Sequence, residues 1–379
     1  MKLAKLVVAL SATFTLSSAA FADITIGVSL SATGPAASLG IPEKNALTLM
    51  PTEIGGEKVK LVVLDDATDP TVATKNARRL VTEDRVDAII GSSSTPATAA
   101  IAEVAHEAKT PLVTMSPVSL PAERNEWVFR APQRNEVMAS ALVEHMKSKG
   151  FKTLGFIGFS DAYGEDWLNS VTKHAEAAGI KLVAVERYNR NDTSVTGQVL
   201  KLTTARPDAV LIAGSGSPAA LPQGALVERG YKGQTYQTHG AANQAFLGVA
   251  GKAAEGALFP VGPISVVRQL PDSHPSRAPG VEFLNKYEAQ FGAGSISAFA
   301  GHAYDAFRLI EAAIPAAKAK AAPGTPEFRT ALREALEASK EVVGVHGVFN
   351  MSPNDHFGHD ERSRVLARVE GGAFKLVTQ

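Results

Sequence analysis

Four consecutive hydroxyl residues, Ser92 to Thr95, come directly after the run Val86 to Gly91. The run predicts a buried strand, and the pattern from about Pro96 onward predicts a helix. At a helix start, free backbone N–H groups and the positive end of the helix dipole point at one spot, and hydroxyl groups add further donors. This spacing therefore indicates a seat for a carboxylate, with Ser94 and Thr95 as candidate contacts. The simpler alternative is that these hydroxyls only cap the helix.

A second strand end supports the ligand site. The apolar run Leu112 to Met115 is followed by Ser116, and Ser119 comes three residues later. If both strands lie parallel in one sheet, their carboxyl ends meet at the same edge. Two hydroxyl-rich strand ends about 20 residues apart favour a ligand seat over capping alone.

Three further segments stand where α/β proteins bind ligands. His239 follows a predicted strand at its carboxyl end, and Tyr163 opens a predicted helix beside an expected crevice between two lobes. The run Gly214 to Ser217 follows another strand and is either the second lobe's counterpart of the serine-rich turn or a plain tight turn. It has neither the dinucleotide fingerprint nor the lysine of a phosphate loop.

Other groups that could do chemistry have simpler explanations. The segment His356 to Asp360 contains two histidines and a carboxylate, but its spacing fits no common metal motif, and turn chemistry precedes it. Asp65 and Asp66 end a predicted strand, where capping explains them without a catalytic pair. We also find no nucleophile elbow. The sequence therefore predicts no metal, no cofactor and no catalytic residues.

Strand and helix patterns alternate along the chain in two similar halves, which is typical of βαβ units on parallel sheets. The predicted strands are 24–29, 59–64, 88–90 and 112–115 in the first half, and 153–158, 181–186, 209–213 and 235–237 in the second. The predicted helices are 42–50, 70–84, 97–108, 134–149, 164–178, 195–204, 219–229, 296–318 and 327–339. The stretch Phe259 to Gly280, rich in proline and glycine, predicts a crossing back towards the first half.

The first 22 residues have the pattern of an export signal. Lys2 and Lys5 precede an apolar stretch that ends in Ala20-Phe21-Ala22, which predicts cleavage after Ala22 and export to the periplasm. The remaining 357 residues contain 36 basic and 38 acidic side chains and no cysteine. This balance argues against nucleic acid or an anionic membrane as a partner, and the absence of cysteine rules out disulfides. The length predicts two domains.

These features together resemble the periplasmic substrate-binding proteins of ABC importers of the branched-chain amino acid type. The resemblance rests on Ile24 to Val28 with Thr33-Gly34-Pro35, on Asp65-Asp66, on Ile89-Ile90-Gly91, on Tyr163-Gly164-Glu165, and on the stretch from Asp208 to Gly230. It implies an α/β fold of two Rossmann-like lobes joined by three crossings that close on a ligand by a hinge motion. We expect residues 23–140 and 260–345 to form the first lobe, and residues 141–259 and 346–379 to form the second lobe and hinge segments.

The resemblance also assigns site residues by position. Thr95 and the backbone around Ser116 and Val118 match the family's seat for the ligand carboxylate. Tyr163, Phe299 and Leu39 match positions that wall the side-chain pocket.

Two positions depart from the amino-acid binders of the family. His239 stands where such binders have a glutamate that holds the ligand's ammonium, and Ser215 stands where they have a tyrosine. A buried ammonium without a carboxylate partner costs several kcal/mol. These departures therefore favour an organic acid, in particular an aromatic or aromatic keto acid. The alternative is a branched-chain or other hydrophobic amino acid.

Three classes of function are compatible with such a fold. A transport receptor needs an export signal and a cleft, and it would be a monomer that meets the membrane permease subunits of an ABC transporter. A sensor domain would normally be joined to a membrane segment or signalling module. An exported hydrolase would need a paired nucleophile and base. The sequence favours the transport receptor and predicts that the protein is not an enzyme.

Overall fold

The computed structural model describes residues 23–378. The predicted signal, residues 1–22, lies outside the described residues. No helix within 23–378 is long and apolar enough to cross a membrane.

The first lobe is built on a sheet of six strands. The order across the sheet is β2-β3-β1-β4-β5-β6, and all neighbours are parallel except the β2–β3 pair. These strands are β1 (Ile24–Leu30), β2 (Glu53–Ile54), β3 (Glu57–Asp65), β4 (Ala88–Gly91), β5 (Leu112–Thr114) and β6 (Val128–Arg130). Leu30 pairs with Asp65 and Ser29 pairs with Gly91, so the carboxyl ends of β1, β3 and β4 meet at one edge.

The second lobe is built on a sheet of seven strands in the order β15-β14-β11-β10-β9-β7-β8. Strands β7 to β11 run parallel, whereas β14 and β15 add an antiparallel edge beside β11. These strands are β7 (Thr153–Phe159), β8 (Lys181–Tyr188), β9 (Ala209–Ala213), β10 (Gln234–Gln237), β11 (Leu258–Val261), β14 (Val365–Glu370) and β15 (Ala373–Leu376). A short hairpin, β12 (Val342–Val343) with β13 (Val348–Phe349), precedes β14.

Eleven helices cover the two sheets within the described residues. In the first lobe, α1 packs on α10, α2 on α3, and α10 on α11, whereas α4 packs on α5 and on β11 in the second lobe. The helices are α1 (Ala37–Leu47), α2 (Pro70–Thr82), α3 (Thr95–Glu107), α4 (Asn135–Ser148), α5 (Ala162–Ala177), α6 (Thr196–Ala205), α7 (Ala220–Glu228), α8 (Gln244–Ala250), α9 (Arg277–Phe291), α10 (Ala298–Lys318) and α11 (Pro326–Glu337). The predicted α/β architecture of two lobes on mostly parallel sheets is confirmed.

The chain passes between the lobes three times, after β6, after β11 and before β14. The three passages touch at one place. The Gln133 amide donates to the Ser363 carbonyl at 2.9 Å and lies 3.2 Å from Nδ1 of His346. A Cβ on Gly262 would lie 1.9 Å from that same Nδ1, so only glycine fits there. We call these four residues the centre of the hinge, since the three crossings meet there and the family resemblance predicts a hinge motion. The expected boundary after residue 140 falls inside α4 (Asn135–Ser148), a helix that packs on α5 and β11.

Three helical regions differ from the sequence prediction: the start of α1, the unpredicted α8 (Gln244–Ala250), and α9. Helix α1 begins at Ala37, five residues before the predicted start, and contains both Gly40 and Pro42. Gly40 is required by packing, since a Cβ there would lie 2.0 Å from the carbonyl oxygen of Ser31. Helix α9 starts at Arg277 inside the stretch predicted as a crossing, with Pro279 in its first turn, where a missing N–H costs no helical bond.

Candidate functional site

A small cavity lies between the two lobes, at the carboxyl ends of their parallel strands. The residues that line it are Leu39, Ser93, Ser94, Thr95, Met115, Ser116, Pro117, Tyr163, Arg190, Ser215, His239, Gly240, Phe299 and His302. Side chains from both lobes therefore line one small space at the ends of the strands.

Eight of the ten residues predicted to bind ligand line this cavity: Leu39, Ser94, Thr95, Ser116, Tyr163, Ser215, His239 and Phe299. The other two lie outside it. Val118 is buried, and its carbonyl accepts from Nε of Arg130 at 3.2 Å. Ser119 instead donates to Oδ1 of Asp166 at 2.8 Å, which joins the two lobes at the rim of the cleft. Both residues follow Ser116 in sequence, but the loop turns away from the cavity after Pro117.

The serine-rich turn uses its hydroxyls in two ways. Ser94 occupies the N-cap position of α3, yet its side chain makes no capping bond, and its buried oxygen has no hydrogen-bond partner within residues 23–378. Thr95 donates to the Pro117 carbonyl at 2.7 Å, so its hydroxyl proton is already used. The cap alternative therefore does not describe Ser94, whose hydroxyl is free to meet a ligand.

Buried carboxylates fix this turn from behind. Asp66 accepts from the hydroxyls of Ser29, Ser31 and Ser92 at 3.0, 2.7 and 2.6 Å. The Ser93 hydroxyl donates to Glu43, whose pKa is raised well above its usual value by burial and, to a smaller extent, by Asp66. Asp66 therefore orders hydroxyls at the strand ends and does not cap a helix, which corrects the sequence-based explanation.

The second lobe brings a cation to the cavity that the sequence reasoning missed. The Arg190 guanidinium donates from Nε to Asp161 at 2.7 Å and from one terminal nitrogen to the Ser215 hydroxyl at 2.9 Å, and it lies 4.2 Å from the Phe159 ring centre. Its side chain is 13% exposed. The prediction ended the preceding strand at residue 186, whereas β8 continues to Tyr188. A basic residue just past the carboxyl end of β8 was the signal that could have identified it.

The turn Gly214 to Ser217 joins the lobes beside the cavity. Gly216 has a φ of +62°, and a Cβ on it would lie 2.6 Å from the Ser38 hydroxyl oxygen and 2.7 Å from a Leu39 methyl carbon. The Ser217 N–H donates to that same Ser38 oxygen at 3.3 Å. The segment is thus both a tight turn and part of the cavity wall through Ser215.

Tyr163 and His239 form another wall on the second lobe. The Tyr163 hydroxyl donates to Thr238 at 2.8 Å, and the His239 ring centre lies 6.4 Å from that of Tyr163 and 5.7 Å from that of Trp167. His239 is 3% exposed. Burial, with a smaller contribution from His346, lowers the pKa of His239 to about 3, so its imidazole is neutral near pH 7.

His302, from the first lobe, is another lining residue that was not predicted, as are Ser93, Met115, Pro117 and Gly240. It lies three residues after Phe299 on α10, and this spacing puts both on one helix face. Burial, followed by the nearby His346 and His239, lowers the pKa of His302 well below its usual value.

The candidate metal segment serves a structural role. Nδ1 of His356 lies 2.9 Å from the Asn125 carbonyl oxygen, and Nε2 lies 3.1 Å from Glu337. Within residues 23–378, no group of three or more histidine, cysteine or acidic side chains is placed to hold a metal ion.

A family model described as periplasmic binding protein matches residues 23–373. The chain is 27% identical over 357 residues to a Leu/Ile/Val-binding protein homolog 3 of Brucella melitensis biotype 1, and the match covers 91% of each protein. The crystal structure of an extracellular ligand-binding receptor from Rhodopseudomonas palustris HaA2 superposes with a TM-score of 0.93 at 49% identity, covering 94% of this chain and 100% of that one. A solute binding protein of an ABC transporter from R. palustris, in complex with benzoate, superposes with a TM-score of 0.78 at 20% identity, over 94% and 96% of the chains. The last likeness concerns the fold alone.

Proposed function

The chain belongs to the periplasmic binding protein family, a family of substrate-binding receptors, and from this premise we propose that it receives a small aromatic or aromatic keto acid in the periplasm. The receptor would release the acid unchanged to the membrane permease of an ABC importer and would act as a monomer. Cleavage after Ala22 would produce the mature receptor.

The charge of the cavity wall carries this proposal. Arg190 is the only charged side chain among the described residues that line the cavity, and none of those residues is a carboxylate. A carboxylate ligand would find a cation there, whereas the ammonium of an amino acid would be buried without a counter-charge. Such a burial costs several kcal/mol.

The ligand carboxylate has donors from both lobes. On the first lobe it would meet the free Ser94 hydroxyl, Ser116, and the backbone N–H groups at the start of α3. On the second lobe Arg190 supplies a charge-assisted bond. A carboxylate between these groups would favour the closed arrangement of the lobes, because it interacts with both only when they meet.

The remaining wall suits an apolar ring. Leu39, Met115 and Phe299 contribute apolar surface from the first lobe, and Tyr163 contributes an aromatic face from the second. The benzoate complex of the R. palustris solute binding protein supports an aromatic acid as an available ligand class on this fold. The B. melitensis relative keeps a branched-chain amino acid as the second candidate.

Calorimetric titration separates the two candidates. We expect benzoate, benzoylformate or phenylpyruvate to bind at least about 100-fold more tightly than leucine, isoleucine or valine, since about 2.8 kcal/mol is a modest cost for an unpaired ammonium. A His239→Glu variant, which introduces the carboxylate that amino-acid binders have at that position, should gain affinity for leucine. Tight binding of leucine by the wild-type protein would overturn the aromatic-acid proposal and support the amino-acid alternative.

A further inference from the structure

Two imidazoles line the cavity, one from each lobe. His302 is on α10 of the first lobe, His239 follows β10 of the second, and both line the cavity. They are 2% and 3% exposed, and neither nitrogen of either ring has a hydrogen-bond partner within residues 23–378. We call His239 and His302 the imidazole pair.

The protein around the imidazole pair offers it no partner. The nearest polar ring is His346, whose centre lies 4.3 Å from that of His302. Both nitrogens of His346 are occupied, because Nε2 lies 2.8 Å from the Ala298 carbonyl oxygen and Nδ1 lies 3.2 Å from the Gln133 amide. The other neighbouring rings are Phe299 beside His302, and Trp167 and Tyr163 beside His239. The Tyr163 hydroxyl donates to Thr238, and the Trp167 indole nitrogen has no hydrogen-bond partner within residues 23–378.

Buried polar atoms without partners are rare because each costs free energy that a hydrogen bond would recover. Four such atoms belong to the imidazole pair, next to His346 at the centre of the hinge, and the Ser94 hydroxyl oxygen is a fifth in the same cavity. Both imidazoles are held neutral by burial, so each presents one N–H donor and one bare nitrogen acceptor. A neutral pair of this kind matches a group that can donate and accept at once.

We propose that the ligand is an aromatic acid with a ring hydroxyl, and that this hydroxyl donates to one imidazole of the pair and accepts from the other. The inference rests on the proposed function, because the acid group must occupy the seat at Ser94 and Arg190 for the ring to reach the pair. A second carboxylate fits poorly, since neutral imidazoles provide no charge to balance it. A ring without a polar substituent leaves all four nitrogens without partners.

The ring hydroxyl would contact both lobes through the imidazole pair, just as the carboxylate would contact both lobes through Ser94 and Arg190. Affinity for the hydroxylated ligand would therefore depend on both histidines together, because each provides one half of the match.

Matched pairs of ligands test the inference on the intact mature protein. Calorimetry would compare benzoate with 3-hydroxybenzoate, 4-hydroxybenzoate and 3,4-dihydroxybenzoate, and phenylpyruvate with 4-hydroxyphenylpyruvate. We expect at least one hydroxylated acid to bind about 10- to 100-fold more tightly than its parent. His239→Leu and His302→Leu should each reduce this ratio to about one to three. His174→Leu, on α5 and outside the cavity, should leave the ratio unchanged.

The outcomes are distinguishable. If the parent acids bind and no hydroxylated acid is preferred by the wild type, the inference is wrong and the proposed function stands. If a preference exists but persists in both folded variants, the imidazole pair is not its origin and the inference is also wrong. If no aromatic acid binds, both proposals fall together. The wild-type ratio decides the first and third cases even if a variant does not fold.

Discussion

Replacing Arg190 by methionine is expected to weaken binding of the carboxylate ligand by about 10- to 100-fold. Methionine keeps an unbranched apolar chain of comparable length, so packing against the Phe159 ring is retained while the guanidinium is lost. The variant leaves Asp161 without its cation, but Asp161 also caps α5 by accepting from the N–H groups of Tyr163 and Gly164 and is partly exposed to water. The fold should therefore survive the change.

The magnitude follows from the surroundings of the guanidinium. A carboxylate about 4 Å from a bare guanidinium gains about 4 kcal/mol at an effective dielectric constant near 20. Asp161, whose oxygen lies 2.7 Å from Nε of Arg190, already neutralises much of this charge. What remains is one hydrogen bond to a charged group, worth about 1.5 to 3 kcal/mol. Since about 1.4 kcal/mol corresponds to tenfold in affinity, the loss lies near one to two orders of magnitude.

Calorimetry with benzoate and with benzamide makes the test specific for charge. The wild type should prefer the acid strongly, and the Arg190→Met variant should lose most of that preference. Arg187→Met is the matched control, because Arg187 pairs with Glu165 on the surface and does not line the cavity. Equal benzoate affinity in wild type and a folded Arg190→Met variant would refute the role assigned to this cation.

Three other results are expected. Ser94→Ala should weaken acid binding in calorimetry by about tenfold without lowering the melting temperature. Thr95→Val should lower the melting temperature, because the Pro117 carbonyl loses its donor. The opposite pattern of binding and thermal unfolding would contradict these roles. Small-angle scattering should show a more compact particle when an acid is bound, and an unchanged particle would argue against closure. Ser119→Ala should weaken binding only slightly, since Ser119 joins the lobes without lining the cavity. When the pH is lowered from about 7.5 to about 5, the free energy of unfolding of His239→Leu minus that of the wild type should increase by about 2 kcal/mol. In the unfolded chain His239 becomes protonated near pH 6.5, whereas burial lowers its pKa in the folded protein to about 3, so the wild type loses stability as the pH falls. If denaturant unfolding gave the same stability difference between variant and wild type at both pH values, this explanation would be wrong.

The first lobe's part of the site was largely predictable from local patterns. An apolar run followed by a glycine and hydroxyl residues predicts that those hydroxyls lie at the carboxyl end of a strand. Ser94, Thr95 and Ser116 were found in this way, and all three line the cavity. The same pattern also led to the prediction that Val118 and Ser119 bind the ligand. Beyond Pro117, however, the direction of the chain depends on contacts with Arg130 and Asp166, which are more distant in sequence.

The partners across the cleft were harder to predict. His302 has no local signal other than its spacing from Phe299, and Arg190 lies past the predicted end of β8. Their importance comes from facing a shared cavity, and that depends on how the two lobes meet. The neutral state of His239 likewise follows from complete burial and from His346, a residue more than one hundred positions away.

The sequence by itself determined the α/β class, the alternation of elements and the strand ends that could hold an anion, because backbone hydrogen bonding and apolar periodicity act over short distances along the chain. Only the tertiary structure decided which side chains share the cavity, that Arg190 is the cation there, and that His239 and His302 face it without partners. The reason is physical: charge pairing, desolvation and the satisfaction of buried polar atoms depend on what surrounds a group in space, and three passages of the chain through one hinge bring together residues that the sequence keeps far apart.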